Sequence, residues 1–191
     1  MPDEDGAERT LKDLPYFLLN LCFSGFIILI QLAGGIYSGS QALIADTAHV
    51  FVHASTEVVV ILSLWSGSKK LDRLGSWLIV LLLLALLVPW LIWSAYQRYL
   101  NPEGIAAPLM FGATLVGLLI NIAQRLIVRG RGLSSKSVAK YKLCLNTDIY
   151  SSLGVLAGAA MIYLNPAWLI ADTILALLIA VWVILKALKM L

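Results

Sequence analysis

The chain has 191 residues, of which 60% are hydrophobic and 13% charged, against about 45–50% apolar and about 25% charged in soluble domains. At a mean hydropathy of +0.88, so large an apolar share cannot be buried in one water-soluble core of this size, and the bilayer has to supply the remaining apolar surroundings. A net charge of +3 is a poor signal for nucleic acid, and Cys22 and Cys144, both in apolar segments, do not make a disulfide framework.

A helix needs about 20 residues to cross a hydrocarbon layer of about 30 Å. Residues 1–13 are polar and largely acidic, read as a cytoplasmic N-terminal tail without the apolar core and cleavage site of a signal peptide. Six apolar runs follow: Leu14–Tyr37, Ala42–Gly67, Leu74–Tyr99, Pro108–Val128, Val138–Leu164 and Ala167–Leu188. Breakers divide them at Ser38–Ser40, Gly67–Lys70, Asn101–Gly104, Arg129–Gly132 and Asn165–Trp168. Pro89 falls inside the third run, where a kink is expected. The expected fold class is therefore an all-α membrane protein of six transmembrane helices spanning residues 14–191, and no soluble C-terminal domain is expected after them.

With six helices, thirteen of the fourteen basic residues fall on one side, and only Arg98 on the other. Lys and Arg in short loops mark the cytoplasmic face, so both termini are expected there. The basic cluster Arg125–Lys142 is mainly this orientation signal, with lipid headgroup contact secondary. The expected location is the cell (inner) membrane, as a multi-pass integral protein.

Ionisable side chains at membrane depth cost a few kcal/mol each on insertion scales, so they are the first candidates for function. Both histidines of the chain, His49 and His53, lie in the second run, four residues apart, and so share a helix face. Asp46 and Glu57 continue that stripe, and the four side chains fall within an arc of roughly 80°. In the fifth run Cys144 and Asp148 form a second pair at the same spacing, with Ser151 and Ser152 one turn further on. Two helices that each offer such a pair can close a four-ligand cage. Imidazole, thiolate and carboxylate suit a tetrahedral Zn²⁺ or a similar ion such as Cd²⁺, not Mg²⁺ or Ca²⁺.

Other polar residues carry less weight. A single membrane histidine can serve as an interhelical hydrogen bond, and a lone cysteine as a small apolar filler, which is the reading for Cys22. Asp46 and Glu57 fit an entry or exit path as well as a ligand set. Asp172, near the start of the sixth run, is at least as well explained as a helix-terminus charge. Asn121 and Gln124 either line a path or join helices, and joining is favoured. Enzyme activity is not expected: an intramembrane metalloprotease places a glutamate directly after the first histidine, where this chain has Val50. Bis-histidine haem ligation needs imidazoles on opposite sides of the iron, not on one helix face.

The stretch GGIYSGSQALIADTAHVFVHAS resembles the second-helix signature of the cation diffusion facilitator family. The basic Lys69–Arg73 loop, RYLNPE at Arg98–Glu103, LLIN at Leu118–Asn121 and the closing IADTILALLIAVWVILKAL are similar in order and spacing. The likeness runs over about residues 14 to 191. It implies a homodimeric exporter that exchanges a divalent metal, usually Zn²⁺, for protons. In the family a His-or-Asp/Asp pair on the second helix and a His/Asp pair on the fifth hold the ion. Here those positions are His49, His53, Cys144 and Asp148. His53 stands in place of Asp, Cys144 in place of His, and the family's C-terminal cytoplasmic domain is missing; the first two changes bear on the metal selected, the third on dimerisation. Such departures leave open a non-transporting relative that stabilises or regulates another transporter.

Overall fold

The computed structural model describes residues 4–66, 85, 88–101, 103–129 and 136–190. Its elements are α1 (Glu4–Ser38), α2 (Gln41–Ser66), α3 (Val88–Leu100), α4 (Ala107–Arg129), α5 (Lys136–Leu164), a 3₁₀ turn (Pro166–Trp168) and α6 (Ile170–Met190). The described residues are thus helical, with no strand among them. The basic loop expected at Lys69–Arg73, the breaker at Gly67–Lys70 and the first part of the third run lie outside them.

Among the described residues, three segments are long and apolar enough to cross a membrane outright: Leu18–Ser38, Ala107–Val128 and Leu145–Leu164. The bundle is apolar on the outside, with Leu29, Ile36, Leu126, Leu178 and Val181 each exposed by half or more. Its interior holds Gln31, Asp46, His49, Asn121, Gln124, Asp148 and Asp172, all buried. Polar groups inside and bare aliphatics outside are what lipid solvation selects.

α1 starts at Glu4, ten residues before the predicted span. Ala7, Glu8, Arg9, Leu11 and Lys12 are good helix formers, and acidic residues near the described start suit the helix dipole, so the expected tail is helical from Glu4 on. In α3, Pro89 follows the first described residue, and the turn before it, where the expected kink would show, lies outside the described residues. α6 starts at Ile170 because Asn165 opens a separate turn: its Oδ1 accepts from the Ala167 amide at 3.0 Å.

α1 packs along α2 and α4, α4 along α5, and α2 along α6, with α2 also touching α5. The α1–α4 approach is close because Gly34 faces Ala113 Cβ where any side chain would collide. α1 and α2 are joined only by Gly39 and Ser40. Gly39 has φ +71°, a left-handed conformation that glycine adopts without Cβ strain. The turn is closed by Ser40 N–H donating to Gly35 O at 3.1 Å, and Ser40 Oγ caps α2 by accepting from the Leu43 amide at 3.1 Å.

Candidate metal centre

α2 presents His49 and His53 one turn apart because a four-residue step nearly completes a helical turn. α5 brings Asp148 opposite them. His49 Nε2 lies 3.0 Å from Asp148 Oδ1 and His53 Nε2 lies 3.5 Å from the same oxygen. The two Nε2 atoms are 3.3 Å apart, and the imidazoles meet edge to face, with centroids 4.7 Å apart. His49 is 1% exposed and Asp148 5%. All three side chains are buried, with one ligand atom each inside a 4.8 Å cluster.

These spacings can be compared with a bound ion. Zn–N and Zn–O bonds of about 2.0–2.2 Å in a tetrahedron put neighbouring ligand atoms about 3.3–3.6 Å apart. The three separations of 3.0, 3.3 and 3.5 Å lie at that value within a few tenths of an ångström. Three ligands leave a fourth tetrahedral position. Cys144 sits on α5 one turn before Asp148, and its side chain lies outside the described residues.

The other predicted residues separate into roles. Asp46 is 0% exposed but does not join the cluster. Its carboxylate faces α1 and α5, accepting from Gln31 Nε2 at 3.1 Å, from Ser152 Oγ at 3.1 Å and from Ser151 Oγ. Glu57 is buried on α2, one turn beyond His53. Asn121 is buried on α4, and its Nδ2 has no hydrogen-bond partner among the described residues. Gln124 joins helices, as expected: its Nε2 donates to Asn20 O at 3.1 Å and reaches Ser24 Oγ at 3.4 Å.

Asp172 belongs to a different structure at the other end of α2. It accepts from the amides of Gln41 at 2.7 Å and Ala42 at 3.2 Å and from Ser40 Oγ. It is therefore a cap supplied to α2 by α6, consistent with its reading as a helix-terminus charge. Arg98 completes the cluster, with Nη1 3.2 Å from Asp172 Oδ2 and Nη2 donating to Gly39 O. Arg98, the basic residue that the sequence expects on the far side, is thus paired with a buried acid.

Sequence reasoning did not single out Gln31, because the reason for a glutamine in α1 lies on α2. Nor did it find Trp182 of α6, whose ring lies 6.1 Å from that of His49 and closes one side of the centre. A tryptophan in an apolar run looks like any other span residue.

The model of the cation efflux transmembrane domain matches residues 17–191. The metal cation efflux system protein CzcD of Cupriavidus metallidurans is 28% identical over 94% of this chain and 58% of its own length. The zinc transporter ZitB of Escherichia coli is 26% identical over the whole chain and 62% of its own length. The human proton-coupled zinc antiporter SLC30A8 is 26% identical over the whole chain and 57% of its own length. The chain thus spans about three fifths of the relatives it matches. The matched domain covers every helix that builds the buried centre, and the chain belongs to the cation efflux family, the cation diffusion facilitators whose second-helix signature it resembles.

Proposed function

We propose that this chain moves a divalent metal ion, Zn²⁺ foremost, out of the cytoplasm in exchange for protons. The observation that carries this reading is the mutual spacing of His49, His53 and Asp148, which matches a tetrahedral ion in a buried site. The relatives' names point the same way, one to metal cation efflux, one to zinc and one to proton-coupled zinc antiport.

The charges favour Cys144 as fourth ligand. A divalent ion with the Asp148 carboxylate and two neutral imidazoles carries one net positive charge; a Cys144 thiolate brings it to zero. A neutral complex is cheaper inside a membrane than a charged one. A thiolate also turns selection towards Zn²⁺ and Cd²⁺. Ligands must shed protons to bind metal and regain them to release it, which couples the ion to a proton flow in the opposite direction. A binding centre inside the bundle with rocking helices supports alternating access. Both termini lie on the cytoplasmic side of the inner membrane, and the functional unit is a homodimer.

The test is metal-dependent flux in proteoliposomes under an imposed pH gradient, across Zn²⁺, Cd²⁺, Co²⁺ and Mn²⁺. Proton-driven Zn²⁺ flux that His49→Ala abolishes is expected. Flux that survives His49→Ala overturns the assignment, and Zn²⁺ binding without flux makes the chain a non-transporting relative.

A further inference from the structure

We infer that Asp46 is a positioning residue for the metal centre: its carboxylate ties the two ligand-bearing helices to each other and to α1, and so sets the register in which His49 and His53 meet Asp148. The inference rests on the reading of that centre as a metal site and adds to it a residue that does not touch the ion.

Asp46 lies three residues before His49 on α2 and is fully buried. Its two oxygens take hydrogen bonds from donors on two other helices: Ser151 and Ser152 on α5, and Gln31 on α1. Ser151 also stands three residues after Asp148, on the same stretch of α5, so its bond to Asp46 holds the ligand-bearing turn itself. The tie therefore joins the turn of α5 that carries one ligand to a side chain one turn from another. A buried carboxylate with several donors is strongly held, because losing them would leave a charge unsolvated in the bundle.

The precision this supplies is what the centre needs. Metal sites tolerate errors of about 0.2 Å in ligand distance, whereas one turn of slip between two helices is about 5.4 Å. Apolar packing in lipid does not fix such a register strongly, because the hydrocarbon outside is as apolar as the interface. The bundle makes room for the third arm of the tie. A Cβ added at Gly117 on α4 would stand 2.5 Å from Gln31 Nε2, so the glycine lets that amide lie against α4 and reach Asp46.

The experiment uses the purified full-length chain in detergent. Zn²⁺ affinity is measured by competition with a chromophoric chelator, and ligand geometry from the d–d absorption of the Co²⁺-loaded protein. Asp46→Ala is expected to weaken Zn²⁺ binding by about 10–100-fold, the usual effect of removing an outer partner of a metal site, and to alter the Co²⁺ spectrum. Asp46→Asn keeps an acceptor oxygen. Gln31 can offer its carbonyl to the new amide by turning over, so this variant should recover most of the affinity and the wild-type spectrum. Should Asp46→Ala fail to fold, Ser152→Ala and Gly117→Ala each remove one arm and are expected to weaken binding by about fivefold, the worth of one hydrogen bond.

Wild-type affinity and spectrum in Asp46→Ala overturn the proposal, as do arm variants without effect. An Asn variant as damaged as the Ala variant overturns it too, because charge and not position would then be acting. The control is His49→Ala. If it loses Zn²⁺ while Asp46→Ala does not, the positioning role fails and the metal centre stands. If wild type binds neither ion, the metal centre itself fails.

Discussion

At the scale of single residues, the proposed metal ligands differ in how they can be replaced. Asp148 is the carboxylate that both imidazoles approach, and no other acid joins the cluster among the described residues. Asp148→Ala should therefore lower Zn²⁺ affinity by more than about 100-fold, above the range for outer partners, as read by chelator competition. Cys144 makes a different prediction. If its thiolate is the fourth ligand, the Co²⁺-loaded protein absorbs in the near ultraviolet through thiolate-to-metal charge transfer, and Cys144→Ser abolishes that band while leaving weaker binding through the other three. The histidine pair and Asp148 were legible in the sequence because helical spacing alone puts i and i+4 on one face and because ionised groups are expensive in lipid. The role of Asp46 was not, since spacing places it on the stripe but cannot say which neighbouring helix its oxygens face. Partners such as Gln31 and Ser152 lie 15 and 106 positions away along the chain, a distance that periodicity does not bridge.

At the scale of elements, the N-terminus of α2 illustrates how one helix completes another. Four amide donors at a helix start lack partners within the helix, and Asp172 of α6 serves two of them at Gln41 and Ala42. Asp172 is 0% exposed and the Arg98 side chain 12%, so removing the acid strands a mostly buried guanidinium as well as the helix end. Asp172→Ala should cost about 3 kcal/mol of stability in detergent, in line with breaking a buried ion pair, as measured by thermal unfolding. Arg98→Met should cost less, because Asp172 keeps its donors from Ser40, Gln41 and Ala42. The breakers at Ser38–Ser40, Asn101–Gly104 and Asn165–Trp168 mark the observed helix ends closely, since glycine, proline and asparagine act locally. The start of α1 did not follow from hydropathy, because polar residues with high helix propensity extend a helix without adding to its apolar signal.

At the scale of the whole molecule, composition was enough for a helical membrane bundle: an apolar exterior around a polar interior is the only arrangement that places so many aliphatic side chains beside Asp46, His49, Asp148 and Asp172. A bound ion should hold that bundle together, since the three ligands come from α2 and α5. At a free Zn²⁺ concentration 100 times the dissociation constant, the gain is about 2.7 kcal/mol. The melting temperature should rise on adding Zn²⁺ and fall back on adding a chelator, and His49→Ala should remove the dependence.

The corner between α1 and α2 also limits how this bundle can move. From Ser40 to His53 the helix is about 20 Å long at 1.5 Å per residue. Pivoting by only 10° there would sweep the second imidazole through roughly 3.5 Å, as far as the 3.3 Å that separates the two ring nitrogens. With Gly39 held in its turn, Ser40 bonded back to Gly35, and Arg98 gripping the Gly39 carbonyl, the corner is a clamped joint. The proposed transport motion is then expected to carry the first two helices as one stiff arm, with the compliance that opens the cage on the side of the fifth.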